Sequence, residues 1–329
     1  MSLFAKKPLD QMLAQAEGKG LKRTLGAGNL VALGIGAIIG AGLFVRTAAA
    51  AGQAAGPAVT ISFIIAAVGC AFAGLCYAEF AAMIPIAGSA YAYSYTTMGE
   101  LVAWIIGWAL IMEYALGAAT VSIAWSEYLN KLFGGRIPYE WSHSPFESFT
   151  DSAGVLHSGI MNAPALVILL LLTLLLIKGS QESAFVNMII VFIKVAIVLI
   201  FIAVGWQFID PANHTPYMIP EGTAPVIDSA GKVIADYSGV FRHGWGGVLG
   251  GAAIVFFAFI GFDAVSTAAQ EAKNPKRDMP IGILGSLVVC TILYILFGHV
   301  LTGVANWKDF VDPEKGREAS VAYAISEYM

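Results

Sequence analysis

The chain has 329 residues, 58% of them hydrophobic and only 12% charged, with a mean hydropathy of +0.75 and a formal net charge of −4. A soluble globular domain carries roughly 25% charged residues, so the composition excludes that class and points to a bilayer, whose core takes about 20 apolar residues per helix. The net charge singles out no partner, and no basic patch interleaved with aromatics is present, so nucleic acid is not an expected ligand.

In chain order, a basic stretch (Lys6, Lys7, Lys19, Lys22, Arg23) precedes the first long apolar run. No short apolar core with a small-residue cleavage site accompanies it, so no removable leader is expected, and residues 1–28 read as a cytoplasmic tail. Residues 29–329 read as the membrane core, in which long uncharged runs predict helices near 29–51, 57–82, 101–129, 162–177, 184–207, 245–270 and 280–304. Gly56-Pro57 marks the turn between the first two, and residues 83–100 form a Gly- and Tyr-rich interfacial connector. Polar segments around 131–161 and 208–244 read as water-exposed loops. Cys70, Cys76 and Cys290 all fall inside apolar runs, as small buried hydrophobes and not a disulfide framework.

Basic residues nearly balance across the two sides, but the short dense clusters orient a chain, and these are the N-terminal one and Lys273, Lys276 and Arg277. They place the N-terminus in the cytoplasm of a multi-pass protein of the cell membrane. Five helices per repeat is an odd number, so a second repeat enters from the opposite side. The expected division is a first repeat of about 29–207 and an incomplete second of about 245–329.

Two apolar segments are broken by glycine at matching positions: Gly34-Ile35-Gly36-Ala37-Ile38-Ile39-Gly40-Ala41-Gly42, and Phe256-Phe257-Ala258-Phe259-Ile260-Gly261-Phe262-Asp263. Gly36 and Gly40 also make a GxxxG pattern, which serves helix packing. Four glycines in nine residues exceed that need, since each costs about 1 kcal/mol of helix propensity. Paired interrupted segments point to a transporter's binding site, because unwound backbone in hydrocarbon needs protein, water or ligand to satisfy it. A half-helix starting after Gly40 aims free N–H groups and a positive dipole end at an anionic group. A break around Ile260-Gly261 releases the carbonyls of Phe257, Ala258 and Ile260, which suit an ammonium. Amides on one side and carbonyls on the other match the α-carboxylate and α-amine of an amino acid. The alternative for the second segment is an ordinary aromatic-rich span with one glycine.

Lys194 stands mid-span, where an ionisable residue costs about 2.5–3.5 kcal/mol on insertion scales. It is either a proton carrier of lowered pKa or a fixed cation pinning the broken helices. Glu113, within the third span, and Asp263, after the second break, serve a proton relay or recognition of a cationic side chain, or else satisfy a helix end or a buried Tyr. Glu79 and Glu127 read as interfacial. The loop histidines read as solvated, no His has metal-ligand spacing, and no cofactor is expected.

The stretches GIGAIIGAGLFV (34–45), AGPAVTISF (55–63), CYAEFAAMIPIAGSAYAYSY (76–95), GELVAWIIGWALIMEYALG (99–117), FFAFIGFDAVST (256–267) and EAKNPKRDMPIGI (271–283) resemble the amino acid–polyamine–organocation superfamily, and within it the cationic amino acid transporter family. The resemblance implies an all-α polytopic fold of two five-helix inverted repeats. By position, it implies that Ala41 and Gly42 offer amides to the substrate carboxylate, and Ile38, Phe257, Ala258 and Ile260 carbonyls to its amine. Lys194 matches the family lysine that replaces a sodium ion, which implies proton coupling or uniport. Family members have two complete repeats, and their eighth span packs against the first broken helix and faces this lysine. Here SVAYAISEYM (320–329) reads as the start of that span, so a missing C-terminal half or an oligomeric partner is expected. The expected activity is a permease for amino acids, cationic ones such as arginine or lysine, by proton coupling, uniport or exchange. Small neutral amino acids, or a non-transporting regulatory subunit, are the alternatives. A membrane enzyme is disfavoured by the lack of HExxH, GxSxG or a Cys–His pair.

Overall fold

The computed structural model describes residues 4–17, 23–150, 155–178, 180–227, 231, 233–312 and 320–329. Lys19 and Lys22, used above for orientation, lie outside the described residues. The helices are α1 (Leu9–Glu17), α2 (Ala27–Ile38), α3 (Thr47–Ala50), α4 (Val59–Met83), α5 (Ser89–Thr97), α6 (Glu100–Leu132), α7 (Tyr139–Ser142), α8 (Ala163–Lys178), α9 (Ser180–Gly205), α10 (Gly244–Val255), α11 (Pro275–Val304) and α12 (Ser320–Tyr328). Two small antiparallel ribbons decorate the long loops: β1 (Ser148–Thr150) with β2 (Leu156–Ser158), and β3 (Val226–Ile227) with β4 (Val233–Ala235).

Helical stretches Gly42–Met83, Glu100–Leu132, Met188–Phe208, Gly244–Glu271 and Pro275–Val304 are long and apolar enough to cross a membrane, and Ala27–Ile38 and Ala163–Ile177 are shorter apolar helices. Their outer faces expose Trp104, Trp108, Leu170, Phe192 and Ile200. In water that much apolar surface drives association, whereas in lipid it is the solvated face. The chain is an all-α multi-pass membrane protein.

The first predicted helix is interrupted where its glycines placed a break: α2 stops at Ile38, Ile39 is extended (ψ 111°), and the chain resumes in π-helical turns at Gly42–Arg46 and Ala51–Ala55 on either side of α3, turns the sequence reading does not include. Hydrophobic periodicity does not distinguish a π turn from an α turn over five residues, which hides such turns from a pattern reading. Residues 245–270 are α-helical only as α10, followed by 3₁₀ turns at Phe256–Phe259 and Asp263–Glu271. The connector 83–100 contains α5, whose nine residues, seven polar or aromatic and two alanines, carry little apolar signal.

The chain forms two compact units. The first comprises Met1–Ile39, Ala66–Leu116 and Phe259–Ile292. Here α2 lies close against α11: a Cβ on Gly282 would sit 2.7 Å from Leu30 Cβ, and one on Gly285 3.0 Å from Val31. Gly34 faces Ser286 and Val265 at similar range, so this glycine serves packing. A parallel backbone bridge joins Leu25 to Ala272, through Leu25 N–H to Glu271 O (3.0 Å) and Lys273 N–H to Leu25 O (2.8 Å).

The second unit comprises Gly40–Ile65, Gly117–Ala258 and Leu293–Met329. Its α10 presents Gly247 to Ala54 and Gly251 to Ala55 and Ser62, and Ser62 Oγ donates to Val248 O at 2.8 Å. Gly56, at φ +60°, makes the turn expected before α4. Phe297 ties the unit together, edge-on to Phe44 (5.9 Å) and tilted against Phe201 (4.9 Å).

Candidate functional site

In the second unit, the backbone after the first break opens a new helical run at Ala41–Gly42, both buried. The first turn of such a run has no intrahelical partner for its amides, although Leu43 N–H is met by Gly40 O at 3.1 Å. A Cβ on Gly42 would lie 2.9 Å from Ala258 Cβ and 3.0 Å from Ala258 N, so the two backbones touch. Only glycine permits that approach. It sets the amide-bearing turn of 41–42 directly against the 3₁₀ turn that holds Phe257 and Ala258.

Hydroxyl groups hold the loosened backbone in place. Tyr294 Oη donates to Ala258 O at 2.8 Å, and Tyr128 Oη and Ser320 Oγ both donate to Phe44 O at 3.1 Å. Thr47 Oγ1 donates back to Leu43 O at 2.6 Å. A carbonyl has two lone pairs, so Ala258 O retains acceptor capacity beyond Tyr294. Arg46 lies over the Phe257 ring at 5.5 Å. Ser320 belongs to α12, which therefore packs on the first broken segment, as the resemblance implied for an eighth span. Lys194 is half-buried on α9 in this unit.

The first unit holds Ile38, Glu113, Ile260 and Asp263. Ile38 ends α2 and is buried. Gly261, at φ +112°, forms the second break, and a Cβ there would stand 2.6 Å from Ala37 O. The second break therefore rests on the last turn of α2. Asp263 is 4% exposed and accepts from the hydroxyl of Tyr114, an exposed tyrosine, at 2.9 Å; the sequence reading holds open a buried Tyr as its partner. Glu113 and Tyr77 lie within electrostatic reach of Asp263. In the same unit the buried hydroxyl of Ser89 lies near that of Tyr77, and the buried hydroxyl of Ser266 near that of Tyr93. Among the described residues, no grouping of His, Cys, Asp and Glu could hold a metal ion.

Tyr114, Tyr128 and Tyr294 were not singled out from the sequence. A tyrosine deep in an apolar span needs a partner for its hydroxyl, and that was the available signal. The partner itself, a carbonyl or carboxylate far along the chain, leaves no mark in local pattern.

An amino acid permease family matches residues 25–327. The methylthioribose transporter of Bacillus subtilis (strain 168) is 45% identical over 303 residues, covering 92% of this chain and 60% of the relative. The branched-chain amino acid permease BcaP of the same organism is 45% identical over 312 residues, covering 94% and 61%. Cationic amino acid transporter 4 of Homo sapiens is 35% identical over 317 residues, covering 94% and 44%. The chain thus spans about 60% of the length of the two bacterial relatives.

Proposed function

This chain belongs to the amino acid permease family of the amino acid–polyamine–organocation superfamily, and on that premise we propose that it carries the substrate-binding residues of a secondary transporter of α-amino acids. The observation that supports this most is the contact of Gly42 with Ala258. It sets the turn at Ala41–Gly42 against the turn that holds Phe257 and Ala258; in this reading the amides of the first are donors for an α-carboxylate and the carbonyls of the second acceptors for an α-ammonium. Lys194 couples transport to a proton or pins the broken backbone. In this reading the N-terminus lies in the cytoplasm and the protein in the cell membrane, with a first repeat of about 29–207 and an incomplete, inverted second of about 245–329.

Cationic side chains are the first choice of substrate, because Glu113 and Asp263 bring two carboxyl groups near one another in the first unit. A neutral side chain is the second reading. It draws on the bond that Asp263 accepts from Tyr114, which gives that carboxylate a structural partner. The 45% identity to a branched-chain permease favours the same reading.

Counterflow of labelled arginine, leucine and alanine into proteoliposomes tests the proposal. Exchange of at least one of them, blocked by unlabelled amino acid and not by sugar, is the expected result. Arginine flux lost in Glu113→Gln selects the cationic reading, and leucine flux indifferent to Glu113→Gln selects the neutral one. No exchange by this chain, alone or joined to the C-terminal portion of a relative, rejects the proposal.

A further inference from the structure

A cleft of about 430 Å³ in the second unit is lined by Gln53, Ile234, Ala235, Asp236, Ser238 and Arg242. Small-molecule pockets run from roughly 300 to 1,000 Å³, so its size suits an amino acid. The two charged residues are each tied down locally. Asp236 accepts from Ser238 N–H at 3.0 Å and from Ser238 Oγ at 2.8 Å, and Arg242 Nη1 donates to Gln53 O at 3.1 Å. Those bonds occupy part of each group's capacity: a carboxylate accepts about four bonds and a guanidinium offers five donors. The charges feel one another, yet among the described residues they do not join as an ion pair.

The loop that carries them is pinned. Tyr237, buried between them in sequence, donates its hydroxyl to Gly52 O at 2.6 Å, His243 Nδ1 meets Tyr237 O at 2.9 Å, and Arg242 N–H closes a turn on Gly239 O at 2.9 Å. An anion and a cation that line one cleft on a hydrogen-bonded loop are complementary to a ligand that carries both charges. A simple anion would face Asp236, and a simple cation would face Arg242. The bonds from Ser238, its amide first, hold the Asp236 carboxyl below its usual range, so it stays charged into mild acid.

We propose that this cleft is an outer capture site for zwitterionic amino acids, its Arg242 meeting the carboxylate and its Asp236 the ammonium. The inference rests on the amino acid permease reading and on the proposed orientation, which turns the 208–244 loop outward. Both charged side chains are exposed, so the site is weak, salt-sensitive and fast, and it raises the local concentration of substrate.

The test is equilibrium binding of labelled L-leucine and L-arginine to the purified chain, in wild type and in Asp236→Asn, Arg242→Gln, Arg242→Lys and Gly42→Val. The expected wild-type isotherm has two components. The weaker one drops about tenfold or more in Asp236→Asn and in Arg242→Gln, recovers in part in Arg242→Lys, and fades in high salt. The tighter one persists in those variants and disappears in Gly42→Val. Because Arg242 also holds Gln53, the near-isosteric Asp236→Asn is the deciding variant, with an unchanged melting temperature as its control. Isopentylamine, which lacks the carboxylate, should not displace leucine from the weaker component. A single component untouched by Asp236→Asn, or displacement by the bare amine, overturns the capture site and leaves the permease reading standing. No amino acid binding to wild type overturns both.

Discussion

Lys194 occupies a costly position. Its neighbours along α9, Phe192, Ile193 and Ile197, face outward to lipid, while Lys194 is half-buried and engaged with the protein. A cation at such depth is retained for what it does, since insertion alone costs about 2.5–3.5 kcal/mol. Lys194→Ala should insert normally and lose most uptake, about tenfold or more, whereas wild-type uptake in that variant would remove both proposed roles. Lys194→Arg separates them. An arginine keeps the charge but does not release its proton, so a pinning role survives the change and a proton-carrying role does not. The glycines divide just as sharply. Gly34 is a packing residue, Gly42 a point of backbone contact with Ala258, and Gly40 has nothing within 4 Å of where a Cβ would stand.

At the scale of elements, the two breaks are held by different means. The first is stitched by hydroxyls from Tyr128 and Ser320 on Phe44 O. The second depends on the conformation of one residue, Gly261, at φ +112° and close against Ala37 O. An alanine there meets both the left-handed strain and the carbonyl, a cost of order 1–3 kcal/mol. Gly261→Ala should therefore lower the melting temperature and weaken substrate binding together. Gly40→Ala, with open space, no positive φ and a place in the break between two helical runs, should be tolerated with little change in stability. Equal effects of the two substitutions on thermal stability would show that the second break is not set by Gly261.

At the scale of the whole molecule, the membrane class and both breaks were legible because they are written in composition and in glycine spacing, which act locally. The start of α4 at Val59 and the turn at Gly56 followed from Gly-Pro chemistry for the same reason. What stayed hidden was long-range: Tyr294 reaching Ala258 and Tyr114 reaching Asp263. Short elements such as α5 and the π turns were hidden too, because a few residues carry too little periodicity to register.

The central claim is that broken backbone recognises the two charged ends common to all α-amino acids. Competition binding against a labelled amino acid tests it most directly, using unlabelled α-amino acids, the corresponding amines and the corresponding carboxylic acids, in wild type and Gly42→Val. Displacement by α-amino acids alone, with the tighter binding lost in Gly42→Val, is the predicted result. Equal displacement by amines or acids that lack one end, or full binding in Gly42→Val, would contradict it.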